Sequence, residues 1–133
     1  MSISFDSFTA GRNWQTGDPQ TWTHTCTGTD LVLFVALFLA GTTDVVNGVT
    51  YNSVSMTRLY KFNDAGGNQQ FVYYLINPST GGNTVSVDLT SSLNMSAVSA
   101  SYTGVHQTTP IDASRTDAGD AATASSFTSG ALT

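Results

Sequence analysis

The sequence predicts an all-β protein, an antiparallel sandwich or barrel of about eight strands. Three observations carry that expectation. Helix-favouring charged residues are nearly missing: all nine acids are Asp, there is no Glu, and the single Lys is Lys61. Strand-favouring residues abound, with 21 Thr, seven Phe, five Tyr and two Trp. Short apolar runs alternate with clusters of Gly, Asn, Asp and Pro at a spacing of roughly 10 to 12 residues.

The elements follow in order along the chain. Residues 3–8 read as a first strand, with Ile3 and Phe5 on one face and Phe8 rejoining it after a bulge. Residues 10–19 hold Gly11, Asn13, Gly17, Asp18 and Pro19 and are expected to be a turn region. In QTWTHTCT (20–27), Trp22, His24 and Cys26 share one face, and Thr21, Thr23, Thr25 and Thr27 share the other. The run LVLFVALFLA (31–40) reads as a strand buried on both faces, or a core strand extended at one end. Residues 49–51 and 54–62 form two strands around Asn52-Ser53, followed by the polar loop 63–68. Residues 70–76, 84–89 and 95–102 complete the regular part. Val85, Val87 and Leu89 face inward on the second of these; on the third, Ala97, Ser99 and Ser101 lie opposite Val98, Ala100 and Tyr102. A short last strand is expected at 124–128, centred on Phe127.

Length and charge narrow the functional classes. A chain of 133 residues is expected to form one domain, 1–133, with a looser C-terminal tail from about residue 112. Four basic residues against nine acids, a net charge of −5, make a poor phosphate-neutralising surface, so no nucleic-acid partner is expected. The longest apolar run falls well short of the roughly 20 residues of a membrane helix, so no membrane partner is expected either. The start, MSISFD, lacks the basic and apolar regions of a signal peptide. The single cysteine, Cys26, leaves no internal disulfide to form.

Three segments carry a family resemblance: GVTYNSVSMT (48–57), YLINPSTGGNTVSV (74–87) and ASYTGVHQTTP (100–110). With the apolar strand before them, they resemble a β-sandwich module that recurs in virion proteins of tailed bacteriophages and in extracellular bacterial proteins. The resemblance spans roughly residues 20–114. It implies a jelly-roll-like antiparallel sandwich and does not imply an enzyme, since the shared residues are strand and turn residues. The chain departs from the pattern at Ser53, where the module often has a second Gly. The module also usually continues through several more strands; a neighbouring subunit or a longer parent sequence would supply the missing edge.

Chemistry has little to build on. His24 and Cys26 share a strand face, but two ligands bind a metal only with partners from elsewhere. Asp112, Asp117 and Asp120 are the densest acid cluster and lack the spacing of a calcium loop; a loose calcium site there is a second ion-binding alternative beside His24 and Cys26. No catalytic residue and no cofactor is expected. The remaining acids read as turn caps or solvated positions.

The function expected is that of a non-enzymatic virion structural protein, a capsid-decorating (cement) or tail-associated module located in the virion and assembled in the host cytoplasm. Its partners would be other copies of itself and other virion proteins, met by strand addition at open edges and burial of apolar patches. The alternative is a carbohydrate-binding or adhesive module that holds host glycans through aromatic side chains. Trp14, Tyr51 and His106 are the candidate glycan or partner contacts, Trp14 being the aromatic expected to be most exposed.

Overall fold

The structure, a computed structural model, describes residues 2–111. The expected strand at 124–128 and the acids Asp112, Asp117 and Asp120 lie outside the described residues. Nine strands follow one another: β1 (Ser4–Gln15), β2 (Gln20–Cys26), β3 (Val32–Ala40), β4 (Val46–Tyr51), β5 (Val54–Ser55), β6 (Thr57–Asn63), β7 (Asn68–Ile76), β8 (Gly81–Leu89) and β9 (Met95–Thr103). They form a five-stranded sheet in the order β1-β9-β3-β7-β6 and a four-stranded sheet in the order β2-β8-β4-β5. Every pairing is antiparallel.

The order is that of a rolled hairpin. β1 pairs β9, β2 pairs β8, β3 pairs β7, and β4 pairs β5 at the tip. Rolling this ribbon lays β9 against β3 and β8 against β4, which makes the two sheets of a jelly roll. β6 is an added edge strand beside β7. The tip is a two-residue turn, Asn52-Ser53, with both residues at positive φ, 48° and 64°. That conformation matches the twist of the flanking strands but is comfortable only for Gly, Asn or Asp. Ser53→Gly is therefore expected to raise the unfolding free energy by about 0.5–1 kcal/mol, measured by urea titration.

Alternation fills the space between the sheets. Leu33, Val35, Leu37 and Leu39 of β3, Phe71 and Tyr73 of β7, and Met95 and Ala97 of β9 face Val85, Val87 and Leu89 of β8, Val49 and Tyr51 of β4, and Cys26 of β2. The inward set on β2 and β8 is the one expected, with Thr21, Thr23, Thr25 and Asp88 in solvent.

Three expectations need correction. β1 runs to Gln15 rather than ending at Phe8, because its turn-type residues sit in bulges: the register against β9 shifts between Phe5 and Ser7, between Ala10 and Arg12, and between Arg12 and Gln15. The segment 54–62 is two strands, divided at buried Met56, where the chain passes from the four-stranded to the five-stranded sheet. β3 is central but, among the described residues, packed against the second sheet on one face alone: its inward residues are buried, while Phe34, Ala36 and Phe38 on the opposite face stay half-exposed.

Among the described residues the four-stranded sheet ends at the two-residue β5, which leaves the inner face of β6 largely without a strand opposite. Long side chains cover it instead. The Arg58 guanidinium lies 4.9 Å from the Phe71 ring centre, Nε donates to the Tyr73 hydroxyl at 2.8 Å, and NH1 meets Asp44 at 2.7 Å. Burial raises the Asp44 carboxyl, but hydrogen bonds from Arg58 and Val46 outweigh it and hold the group below its ordinary range. With both partners about one-third exposed, this pair contributes no more than about 1 kcal/mol.

Candidate functional site

Two arrangements stand out, one inside the sandwich and one on its surface. Inside, β1, β2 and β9 bring six polar or indole groups together. Trp22 Nε1 donates to Ser99 Oγ at 3.1 Å, and Ser99 Oγ lies 3.0 Å from His24 Nδ1. His24 Nε2 lies 3.0 Å from Ser101 Oγ, which donates to Asp6 at 2.6 Å. Thr9 Oγ1 is a second neighbour of Nδ1 at 2.9 Å. A hydroxyl has one proton. Ser101 gives its proton to the Asp6 carboxylate, so it accepts from His24, and the imidazole is the neutral Nε2–H tautomer. The chain thus has one direction, Trp22 to Ser99 to His24 to Ser101 to Asp6.

That direction decides what the cluster does. A nucleophilic serine needs a histidine that accepts its proton. Here His24 donates to Ser101 and accepts from Ser99, but His24, Ser99 and Ser101 are wholly buried, so neither hydroxyl is open to a substrate. The arrangement locks β1, β2 and β9 together by satisfying every buried polar group it contains. Burial pushes the His24 imidazole down, with Asp6 opposing. For Asp6 burial raises the carboxyl, but bonds from Ser101 and Thr27 outweigh it and leave it below its ordinary value.

Both shifts make the fold less stable in acid than at neutral pH. As pH falls below 6.5 the unfolded chain takes up a proton at His24 that the native chain refuses, so stability drops until the native imidazole also titrates. Below 3.8, Asp6 and Asp44 add a second loss in the same direction. One group can contribute a slope of at most about 1.4 kcal/mol per pH unit. His24→Gln keeps a donor toward Ser101 and removes the titration, so its stability is expected to be flat between pH 6.5 and the carboxylate range, where the parent chain declines. Denaturation midpoints across that range check this.

Tyr51 belongs to the interior as well, and this corrects its expected place among surface contacts. It has no exposed surface. Its hydroxyl lies 3.0 Å from the Ser79 carbonyl, 3.2 Å from that of Gly81 and 3.3 Å from that of His24, and accepts from Asn83 Nδ2 at 3.3 Å. It ties β4 to the end of β2 and to the loop before β8, and burial pushes its pKa up to about 12. Tyr51→Phe is expected to cost about 0.5–1.5 kcal/mol in a urea titration, since it removes the hydroxyl's bonds while the Ser79 and Gly81 carbonyls, in exposed residues, keep Asn83 Nδ2 as a donor.

The surface arrangement is an asymmetry between the two outer faces. The four-stranded sheet presents Thr21, Thr23, Thr25, Thr84, Ser86 and Asp88. The five-stranded sheet presents aromatic and aliphatic rows. Phe5 of β1 stands beside Tyr102 of β9, and Tyr102 beside Phe34 of β3, in edge-on contacts at 6.0 and 6.3 Å. Tyr60 and Phe62 stack on β6 at 6.4 Å. Val98, Ala36 and Val72 lie in register between them. Phe5 is 62% exposed, Phe8 57% and Val98 38%. A hollow of about 360 Å³ on this sheet is lined by Ala36, Phe38, Tyr60, Val72, Val98 and Arg12, among others. A second, of about 250 Å³, lies between Ile3, Phe34, Tyr102 and Pro110. None of the six acids among the described residues is on this face.

The other candidate contacts divide. Trp14 is 44% exposed and packs on Phe38 at 5.7 Å, so it borders the apolar face, although Phe5 and Phe8 are more exposed than it is. His106 is exposed but turned into its own loop, where Nδ1 accepts from the Thr109 amide at 3.1 Å. The face itself was signalled in the run 31–40, whose two alternating sets are both apolar. Asp6 was not foreseeable as an inward group, since alternation alone does not say whether the set of Phe5 or that of Asp6 faces the interior. Among the described residues no group of three or more His, Cys, Asp or Glu is placed to hold a metal ion, and no helix is long and apolar enough to cross a membrane. Comparison with family models, with curated proteins and with solved structures finds no match to this chain.

Proposed function

We propose that this protein is a non-enzymatic structural module of a bacteriophage virion, a capsid-decorating or tail-associated sandwich that acts through subunit contact. The observation that carries the reading is the apolar face of the five-stranded sheet that the described residues leave uncovered. A monomer gains nothing by keeping so many aromatic groups in water, and contiguous apolar patches of this kind mark interaction sites. The phage-module resemblance of residues 48–57, 74–87 and 100–110 supplies the setting. The contact is made by the face rather than by strand addition. β1 carries three bulges and β6 one, and bulged edges resist pairing with another strand.

The carbohydrate reading has Trp14 beside the larger hollow in its favour. It is the weaker of the two, because sugar recognition needs several convergent polar groups, whereas this hollow is lined mainly by apolar side chains. Mass-spectrometric inventory of purified virions from the source phage tests the proposal. The chain is expected in the particle in many copies, and its absence from complete particles refutes the reading. A glycan array on which Trp14→Ala abolishes a specific signal would move the assignment to the alternative.

A further inference from the structure

We infer that the apolar face of the five-stranded sheet closes on the same face of a second copy of this chain, forming a two-fold, sheet-to-sheet dimer. This names the partner of the face described above and rests on the reading of that face as a contact surface.

Area is the first argument. Five strands about 4.8 Å apart, over about eight residues rising about 3.3 Å each, give a face of roughly 600 Å². Two such faces together reach about 1,200 Å², the lower bound of standard stable interfaces. Charge is the second. A surface evolved for a different, charged partner carries the complementary sign. This face has none of the described acids, and Arg12 stands alone beside its hollow. A nearly uncharged face suits its own copy, and the six acids among the described residues lie elsewhere.

Shape is the third argument. An isologous contact requires a face that holds both projections and recesses. Phe5 and Phe8 project from β1, and the hollow lies across the middle of the sheet, between Arg12 of β1 and Tyr60 of β6. A two-fold axis along central β3 sets β1 of each copy over β6 of the other. The two sheets would then lie about 10 Å apart with strands crossing near 30°. The chain's own residues 112–133 are a poor substitute as occupant. Phe127 and Leu132 are their only large apolar side chains, too few to cover a face this aromatic.

Sedimentation velocity of the full chain over a concentration series tests the inference. A dimer is expected at tens of micromolar. Phe8→Asp and Val98→Asp, both at exposed positions, are each expected to raise the dimer dissociation constant at least about tenfold. Thr23→Asp on the threonine face is expected to leave it unchanged. Circular dichroism verifies that each variant is folded, and either face variant suffices if the other fails to fold. A monomer at every concentration up to about 1 mM overturns the inference, as does a dimer that both face variants leave intact. The two readings fail separately. A dimer that never enters virions keeps this contact and removes the virion role. A monomer that enters virions, and loses incorporation on Phe8→Asp, removes the dimer and gives the face to another virion protein.

Discussion

Phe71→Ala is expected to lower the unfolding free energy by about 3–5 kcal/mol, a large share of what a domain this size possesses. Phe71 is essentially fully buried on the inner face of β7, paired with Leu37 of β3 and Lys61 of β6. Its loss removes a ring from the middle of the five-stranded sheet and leaves a void that surrounding Leu side chains fill only partly. The Arg58 guanidinium at 4.9 Å and the Lys61 ammonium at 6.0 Å also lose the ring face they rest on. Urea titration by far-ultraviolet circular dichroism gives the value. A loss below about 1 kcal/mol would mean that Phe71 is not the packing centre described here.

The second large effect is expected at Gly11, and its cause is space. A Cβ at this position would lie 2.4 Å from ring atoms of Trp22. The indole lies flat across the β1 backbone there, and from that seat its Nε1 reaches Ser99. Gly11→Ala pushes the ring away, so the cost combines overpacking with a lost hydrogen bond at the head of the His24 chain, about 2–4 kcal/mol. Gly11→Ala in a Trp22→Leu background should cost far less, because the clash is already gone. That non-additivity, read from a double-mutant cycle, separates this account from a generic backbone effect. Equal costs in both backgrounds would refute it.

These positions show what a sequence of this kind makes legible. Alternation in 20–27 and 84–89 placed Trp22, His24, Cys26, Val85, Val87 and Leu89 inward, because a two-residue period follows from strand geometry alone. Alternation also separated Ser99 and Ser101 from Val98, Ala100 and Tyr102, but hydropathy cannot say which set faces in. The serines do, since Asp6 and His24 supply their partners across 95 and 77 residues of sequence. Such partnerships depend on the roll of the hairpin. Gly11 reads locally as a turn residue, yet it is required by an indole from the neighbouring strand. Tyr51 reads as a candidate contact in a short strand, yet three carbonyls and an amide gather around its buried hydroxyl.

Cys26 gives the molecule a built-in stopwatch. It is the sole thiol in the chain, fully sheltered at the end of β2, and its environment disfavours the reactive thiolate. Alkylating reagents can therefore reach it only when the sandwich parts, so the labelling rate reports how frequently that happens. A loss of 3–4 kcal/mol should quicken modification by roughly two to three orders of magnitude. Every substitution discussed above can thus be ranked in native buffer, without denaturant, by timing the disappearance of one sulfhydryl.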